Sequence, residues 1–315
     1  MQYVPESRNV FLEFAPYVDS SNVNPISRLV IDRFVPADHG YGESDDEEVS
    51  PTQYGAQQKV IASDIGTVST YHTDGKTFLL RGESAAEQRH VAWVNNLIGS
   101  RDSVLENGAI AVNTSRSGTH SHVISAVMQR PSPDGYDVVV QSVATQPGDT
   151  LGTQIWSGFT QEPRPVIAAR DTFSVIAFAA DDGIRLSTRP NPDTTWSEPF
   201  LLPGSQAGDR MPCVVMDTNI TTDTAYVVIF VDADDRLLFY RSSSGTPVPL
   251  TTPFTQSFVL NPTAAALNEK LTVVYQYHDS KHNRNYVARR ELDLSTGIIP
   301  NDSDAYGLRN QHERD

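Results

Sequence analysis

Asp182-Gly183-Ile184-Arg185-Leu186-Ser187-Thr188-Arg189 is the stretch that decides the fold: a tight acidic turn, a short strand-like run, and a long polar side chain at its end. The same phrase stands at Asp74-Gly75 to Arg81, at Asp134-Gly135 to Gln141 and at Asp234-Asp235 to Arg241, with a diverged copy at Tyr286-Val287-Ala288-Arg289-Arg290. Counted from Gly75 through Gly135 and Gly183 to Asp235, the turns are 60, 48 and 52 residues apart. Strand-and-turn units recurring near every 50 residues belong to a radial array. Asp-Gly at such hairpins has a mechanism, because both residues tolerate the positive φ of a type I′ turn.

Outward from that phrase, each unit opens on an apolar run: Lys59 to Ala62, Ala109 to Val112, Pro165 to Ala169, Pro212 to Val215 and Pro262 to Ala266. Pro165, Pro212 and Pro262 are spaced by 47 and 50 residues, which supports the same period independently. A second run rich in Val, Ile, Phe and Tyr follows, then the turn and third run, then a weaker polar fourth run. Four strands per unit with the inner ones most apolar is the blade pattern of an all-β propeller. The reading is five clear four-stranded blades over 57–298, with a sixth as the alternative. Residues 1–56 carry Asn9 to Phe14 and Arg28 to Phe34, expected to be strands that close the ring, and an acidic loop at 43–48. Residues 299–315 form a tail.

Composition narrows the partners. The chain has 315 residues, 38% of them hydrophobic, and a net charge of −15, which disfavours nucleic acid and anionic membranes. No apolar run reaches membrane-spanning length, so no membrane insertion is expected. No signal peptide is visible, so a cytoplasmic or non-classically secreted protein is expected. With Cys213 as the only cysteine, no intrachain disulfide can form. His120 and His122 lack a third ligand, so no metal is expected, and with neither a phosphate loop nor a dinucleotide fingerprint in the sequence no other cofactor is expected.

Three residue sets could carry chemistry. Arg81, Arg189 and Arg241 occupy a common register, which predicts equivalent positions around a ring and a planar donor fork for paired hydroxyls. Trp93, Trp156 and Trp196 fall in the fourth runs of consecutive units, where an indole face could pack on a sugar ring. The structural alternative is that these arginines face solvent and these tryptophans fill space between blades. Asp64, Asp171 and Asp217 end the inner runs and could converge on a central funnel as the acids of a glycoside hydrolase, although aspartate at strand ends also serves turns.

Asn191-Pro192-Asp193-Thr194-Thr195-Trp196 resembles the Asp-box hairpin of sialidase-like propellers, matching at Thr195 and Trp196 while Arg189, Asn191 and Asp193 replace its serine, aspartate and glycine. The blade layout and the Ile184-Arg185-Leu186 run are similar to fungal fucose-binding lectins, although Ser187 stands where their glutamate would be. That resemblance implies sugar sites between adjacent blades. The resulting expectation is a multivalent, non-catalytic carbohydrate-binding propeller with glycans as partners and homo-oligomerisation open. A glycoside hydrolase and a protein-interaction scaffold are the alternatives.

Overall fold

The computed structural model describes residues 60–63, 66–73, 76–82, 88–91, 106–114, 122–144, 150–190, 195–217, 224–250, 257–267, 269–279, 284–296 and 306–308. Sheet one holds β1 (Val60–Ser63), β2 (Gly66–Thr73), β3 (Lys76–Gly82) and β4 (Gln88–Val91). Sheet two holds β5 (Glu106–Thr114), β6 (His122–Ser132), β7 (Gly135–Ala144) and β8 (Thr150–Phe159). Sheet three holds β9 (Val166–Arg170), β10 (Phe173–Ala180), β11 (Gly183–Arg189) and β12 (Phe200–Leu201). Sheet four holds β13 (Arg210–Met216), β14 (Tyr226–Val231), β15 (Leu237–Arg241) and β16 (Val248–Pro249). Sheet five holds β17 (Ser257–Leu267), β18 (Lys270–Asp279), β19 (Arg284–Asp293) and β20 (Tyr306–Leu308).

Every sheet is an antiparallel meander paired in chain order, and the first strands of consecutive sheets lie against one another, β1 on β5, β5 on β9, β9 on β13 and β13 on β17. These are the blades of a β-propeller. Among the described residues there is no helix, hence none long and apolar enough to cross a membrane. The ring-closing strands and the acidic loop expected within 1–56 lie outside the described residues.

Strand β10 shows why the sheets stack. All eight of its residues are buried. Val175, Ala177 and Ala179 pack toward sheet four with Val228 and Phe230. Ile176, Phe178 and Ala180 pack toward sheet two with Val127, Val138 and Trp156. Side chains alternate across a strand, so burial at every position requires a neighbour on each face. A third cluster joins sheets four and five through Ile229, Val231, Leu271 and Tyr275.

The repeated prolines mark an irregularity of the inner strands. Arg164, Met211 and Asn261 each precede one of them and each has positive φ, at 47°, 52° and 48°. The ladders of β13 and β17 shift register there, between Arg210 and Cys213 and between Leu260 and Thr263. A β-bulge leaves an unpaired residue, and proline, which has no N–H, is tolerated at such a break.

The hairpin glycines correct the expected turn type. The loops are Pro133-Asp134 and Asp181-Asp182, because Ser132 pairs with Gly135 and Ala180 with Gly183. Gly183 is thus the first strand residue, with φ of 133°, while Asp182 is not among the residues of positive φ. Its role is close approach: a Cβ there would sit 2.7 Å from Ser205 Oγ and 2.9 Å from the Gln206 backbone. Gly135 meets Phe159 and Thr160 in the same way. In both blades the chain leaving the fourth strand crosses the hairpin where only hydrogen fits. Gly183→Ala is expected to destabilise the protein by at least about 1–3 kcal/mol from backbone strain alone, read as a lowered urea midpoint with unchanged slope.

Candidate functional site

The seam between sheets two and three gathers a buried polar cluster. Arg189, at the end of β11, is 1% exposed. Its Nη1 donates to Ser142 Oγ at 2.9 Å, and its Nη2 donates to Ser125 Oγ at 2.7 Å and Asn113 Oδ1 at 3.2 Å. Ser174 Oγ donates to the same Asn113 oxygen at 2.6 Å. The guanidinium carbon lies 4.6 Å from the centroid of the Trp196 ring, a cation–π contact. Trp196 is held in place because Ser197 bridges to β11: its amide donates to Thr188 O, and its hydroxyl accepts from Thr188 N at 3.0 Å.

Trp156, on β8, stacks on Phe178 from the other side of this seam, with centroids 5.9 Å apart. Both indoles are 6% exposed, and neither Nε1 has a hydrogen-bond partner in the structure. A buried donor without an acceptor is uncommon in native proteins. Toward the outer edge, Arg185 shares the blade-two face of β11 with Arg189 and pairs across the ladder with exposed Leu201. Asp182 accepts from Arg185 Nε at 3.0 Å and Nη2 at 2.8 Å. The hydrogen bonds from Arg185 hold the Asp182 carboxyl below its usual range, and Asp182 raises the arginine in turn.

The arginines do not occupy equivalent positions. Arg189 faces sheet two, whereas Arg241 faces sheet five, where its Nη1 donates to Leu294 O at 2.8 Å. Hairpin length is the reason. In sheets two and three the β–β loop has two residues, but in sheet four Asp232 pairs with Arg236 around the three-residue loop Ala233-Asp234-Asp235, with Asp235 at φ of 61°. One added residue shifts the parity of β15, and side chains that match in sequence point to opposite faces. Gln141 in β7 follows a two-residue loop and, like Arg189, faces away from the next sheet. Arg81 sits in β3, paired across the ladder with Val68 and Arg89. Trp93 lies outside the described residues.

The acids are likewise separated by environment. Asp217 is 0% exposed, accepts from Arg241 Nε at 2.5 Å, and takes Arg170 Nη1 on its backbone carbonyl at 3.2 Å. Asp171 is exposed in the two-residue turn between β9 and β10, with φ of 46°, and its carbonyl accepts from Asn113 Nδ2 at 3.1 Å. Asp64 lies outside the described residues. Asn113, Arg170 and Arg241 therefore each reach from one blade to a carbonyl of the next, forming a girdle of hydrogen bonds along one end of the inner strands. Besides the Arg170 hydrogen bond, the seam between sheets three and four holds Phe173 stacked on Tyr226, and burial pushes the Tyr226 phenol up to about 12. Cys213 packs between sheets four and five, where burial pushes its thiol up to about 12, leaving it inert at neutral pH.

Sequence reasoning missed Asn113, Ser125, Ser142 and Ser174. A signal existed for two of them, since Ser125 and Ser174 interrupt otherwise apolar inner runs.

No protein family model matches the chain, and no curated protein matches it. Solved structures do. A fungal lectin from Aleuria aurantia, described as a six-bladed β-propeller with a novel fucose recognition mode, aligns at 12% identity over 76% of this chain and 74% of its own, with a TM-score of 0.46. An exo-β-1,3-galactanase from Phanerochaete chrysosporium aligns at 11% identity over 77% of this chain and 62% of its own, with a TM-score of 0.45. An arabinanase from Bacillus subtilis aligns at 12% identity over 76% and 96%, with a TM-score of 0.43. At these values the similarity says nothing of ligand or activity, so function is argued from this chain's own residues.

Asp217→Ala is expected to cost about 3–5 kcal/mol by leaving the Arg241 guanidinium without its carboxylate between blades. Equilibrium urea unfolding measures it.

Proposed function

We propose that the protein is a non-catalytic, lectin-like propeller that binds carbohydrate at the seam between its second and third blades. The observation that carries this reading is the pair of buried indole N–H groups of Trp156 and Trp196, both without an acceptor, in the seam that Arg189 enters. Hydroxyl oxygens of a sugar reaching in from the outer edge would supply those acceptors. Arg185 and Leu201 at that edge offer a charged donor and an apolar surface of the kind a pyranose uses, since its C–H face packs on apolar groups while its hydroxyls take donors. Support for a non-catalytic role comes from Asp217, whose carboxylate is enclosed and committed to Arg241, and from Asp171, which serves a hairpin turn.

Multivalency by repetition of one site is not part of this proposal for the described seams, because their polar groups differ: arginine and tryptophan in one, stacked tyrosine and phenylalanine in the next, an ion pair in the third. A glycan array on the purified chain, followed by titration of the best ligand, is the test. Trp196→Phe keeps the ring and drops the donor, and is expected to weaken binding about tenfold with the melting temperature nearly unchanged. An array blank across all glycans removes the proposal, and turnover of aryl glycosides would replace it with a hydrolase.

A further inference from the structure

The chain between β12 and β13 crosses the β10–β11 hairpin and then runs against the β14–β15 hairpin, so the third and fourth blades are joined there. Ser205 Oγ accepts from Ile184 N at 2.8 Å and donates to Asp209 Oδ2 at 2.7 Å, and Gln206 N donates to the same oxygen at 2.9 Å. Gln161 Nε2, from the segment after β8, donates to Asp209 O at 3.4 Å. A Cβ at Gly208 would lie 3.0 Å from that of Ala233, which shows how tightly the connector meets the second hairpin. Asp209 itself is 1% exposed. Its other carboxyl oxygen, Oδ1, is enclosed and has no hydrogen-bond partner.

We propose that Asp209 makes the joint between the third and fourth blades sensitive to pH: firm while the carboxyl carries a proton, loosened once it ionises. The charges around it are committed elsewhere. In the β14–β15 hairpin, Asp232 accepts from Arg236 Nε at 2.6 Å, and Arg236 also reaches Asp234 at 3.0 Å, keeping only a minor attraction for Asp209. Arg210, the next residue along the chain, turns to Asp232 O at 3.0 Å and to the Asp235 carboxylate. In the β10–β11 hairpin, Asp182 holds Arg185, and Asp181 accepts from Thr160 and Gln161. In the segment after β8, Arg164 pairs with Glu162. Each of these cations has another carboxylate, and the nearby Asp232 repels a charge on Asp209. An enclosed acid without a cation favours its neutral form, so burial first, and that repulsion last, raise the Asp209 carboxyl above its ordinary value. The folded chain then holds this proton more tightly than the unfolded chain. The stability it contributes is complete below the ordinary carboxylate value and is lost as pH rises through the raised one. Asp181 and Asp182, both held below the ordinary value, act in the opposite sense at lower pH. Once ionised, Oδ1 is relieved by a local opening of the connector that admits water.

Two measurements on the full chain test this. Asp209→Asn keeps an acceptor for Ser205 and Gln206 and cannot ionise. In urea unfolding from about pH 4 to about pH 8, the wild-type midpoint is expected to fall relative to that of the variant as pH rises. A difference that stays constant across pH overturns the proposal, whichever protein is the more stable. Hydrogen exchange of the wild type needs no variant. Protection of residues 202–209, taken as a ratio to that of β10 in the same molecule, is expected to fall over the same range. A flat ratio overturns the proposal even where Asp209→Asn does not fold.

Discussion

The arrangement depends on burial of both faces of the inner sheets. A β-strand can be buried at every position only where each face meets another surface, and Phe173–Ala180, apolar throughout except for Ser174, is such a strand. Fully burying one side chain of the size of Phe178 is worth roughly 2–3 kcal/mol, and β10 supplies eight buried residues in a row. No single sheet could retain that composition in water. Stacking of the blades follows from it, and the remaining features are refinements of how neighbouring blades meet.

Polar groups at the seams act within that constraint. Any donor taken into a seam needs an acceptor there, since an unmade hydrogen bond costs more than a made one contributes. Arg189 meets this with two serines and an asparagine from the neighbouring blade, and Arg241 with Asp217 and a carbonyl of sheet five. The hydrogen bonds of Asn113, Arg170 and Arg241 tie sheets two to five to one another along one end of the inner strands. Within that pattern the indole N–H groups of Trp156 and Trp196 are buried without a hydrogen-bond partner, as are Gln141 Nε2 and Asp209 Oδ1.

The period, the strand content and the four-strand blade could all be read from residue order. The Asp-Gly phrase, the spaced prolines and the runs of β-branched residues are local features, and local features survive in one dimension. Pro212 and Pro262 turned out to mark bulges at left-handed residues, and the glycines turned out to be required by a crossing connector rather than by the turn. The glycines were visible, but their physical cause was not, because it lies in chain segments 20 or more residues away, as between Gly183 and Ser205.

What the sequence by itself determined is the all-β architecture: short apolar runs, turn chemistry and a 50-residue period admit few other folds. What only the tertiary structure decided is which seam each functional side chain enters. Arg189 and Arg241 match in sequence and part in space, because a three-residue loop in sheet four reverses the parity that a two-residue loop sets in sheet three. Side-chain direction on a strand has a period of two, so a single inserted residue inverts it while leaving the repeat fully legible.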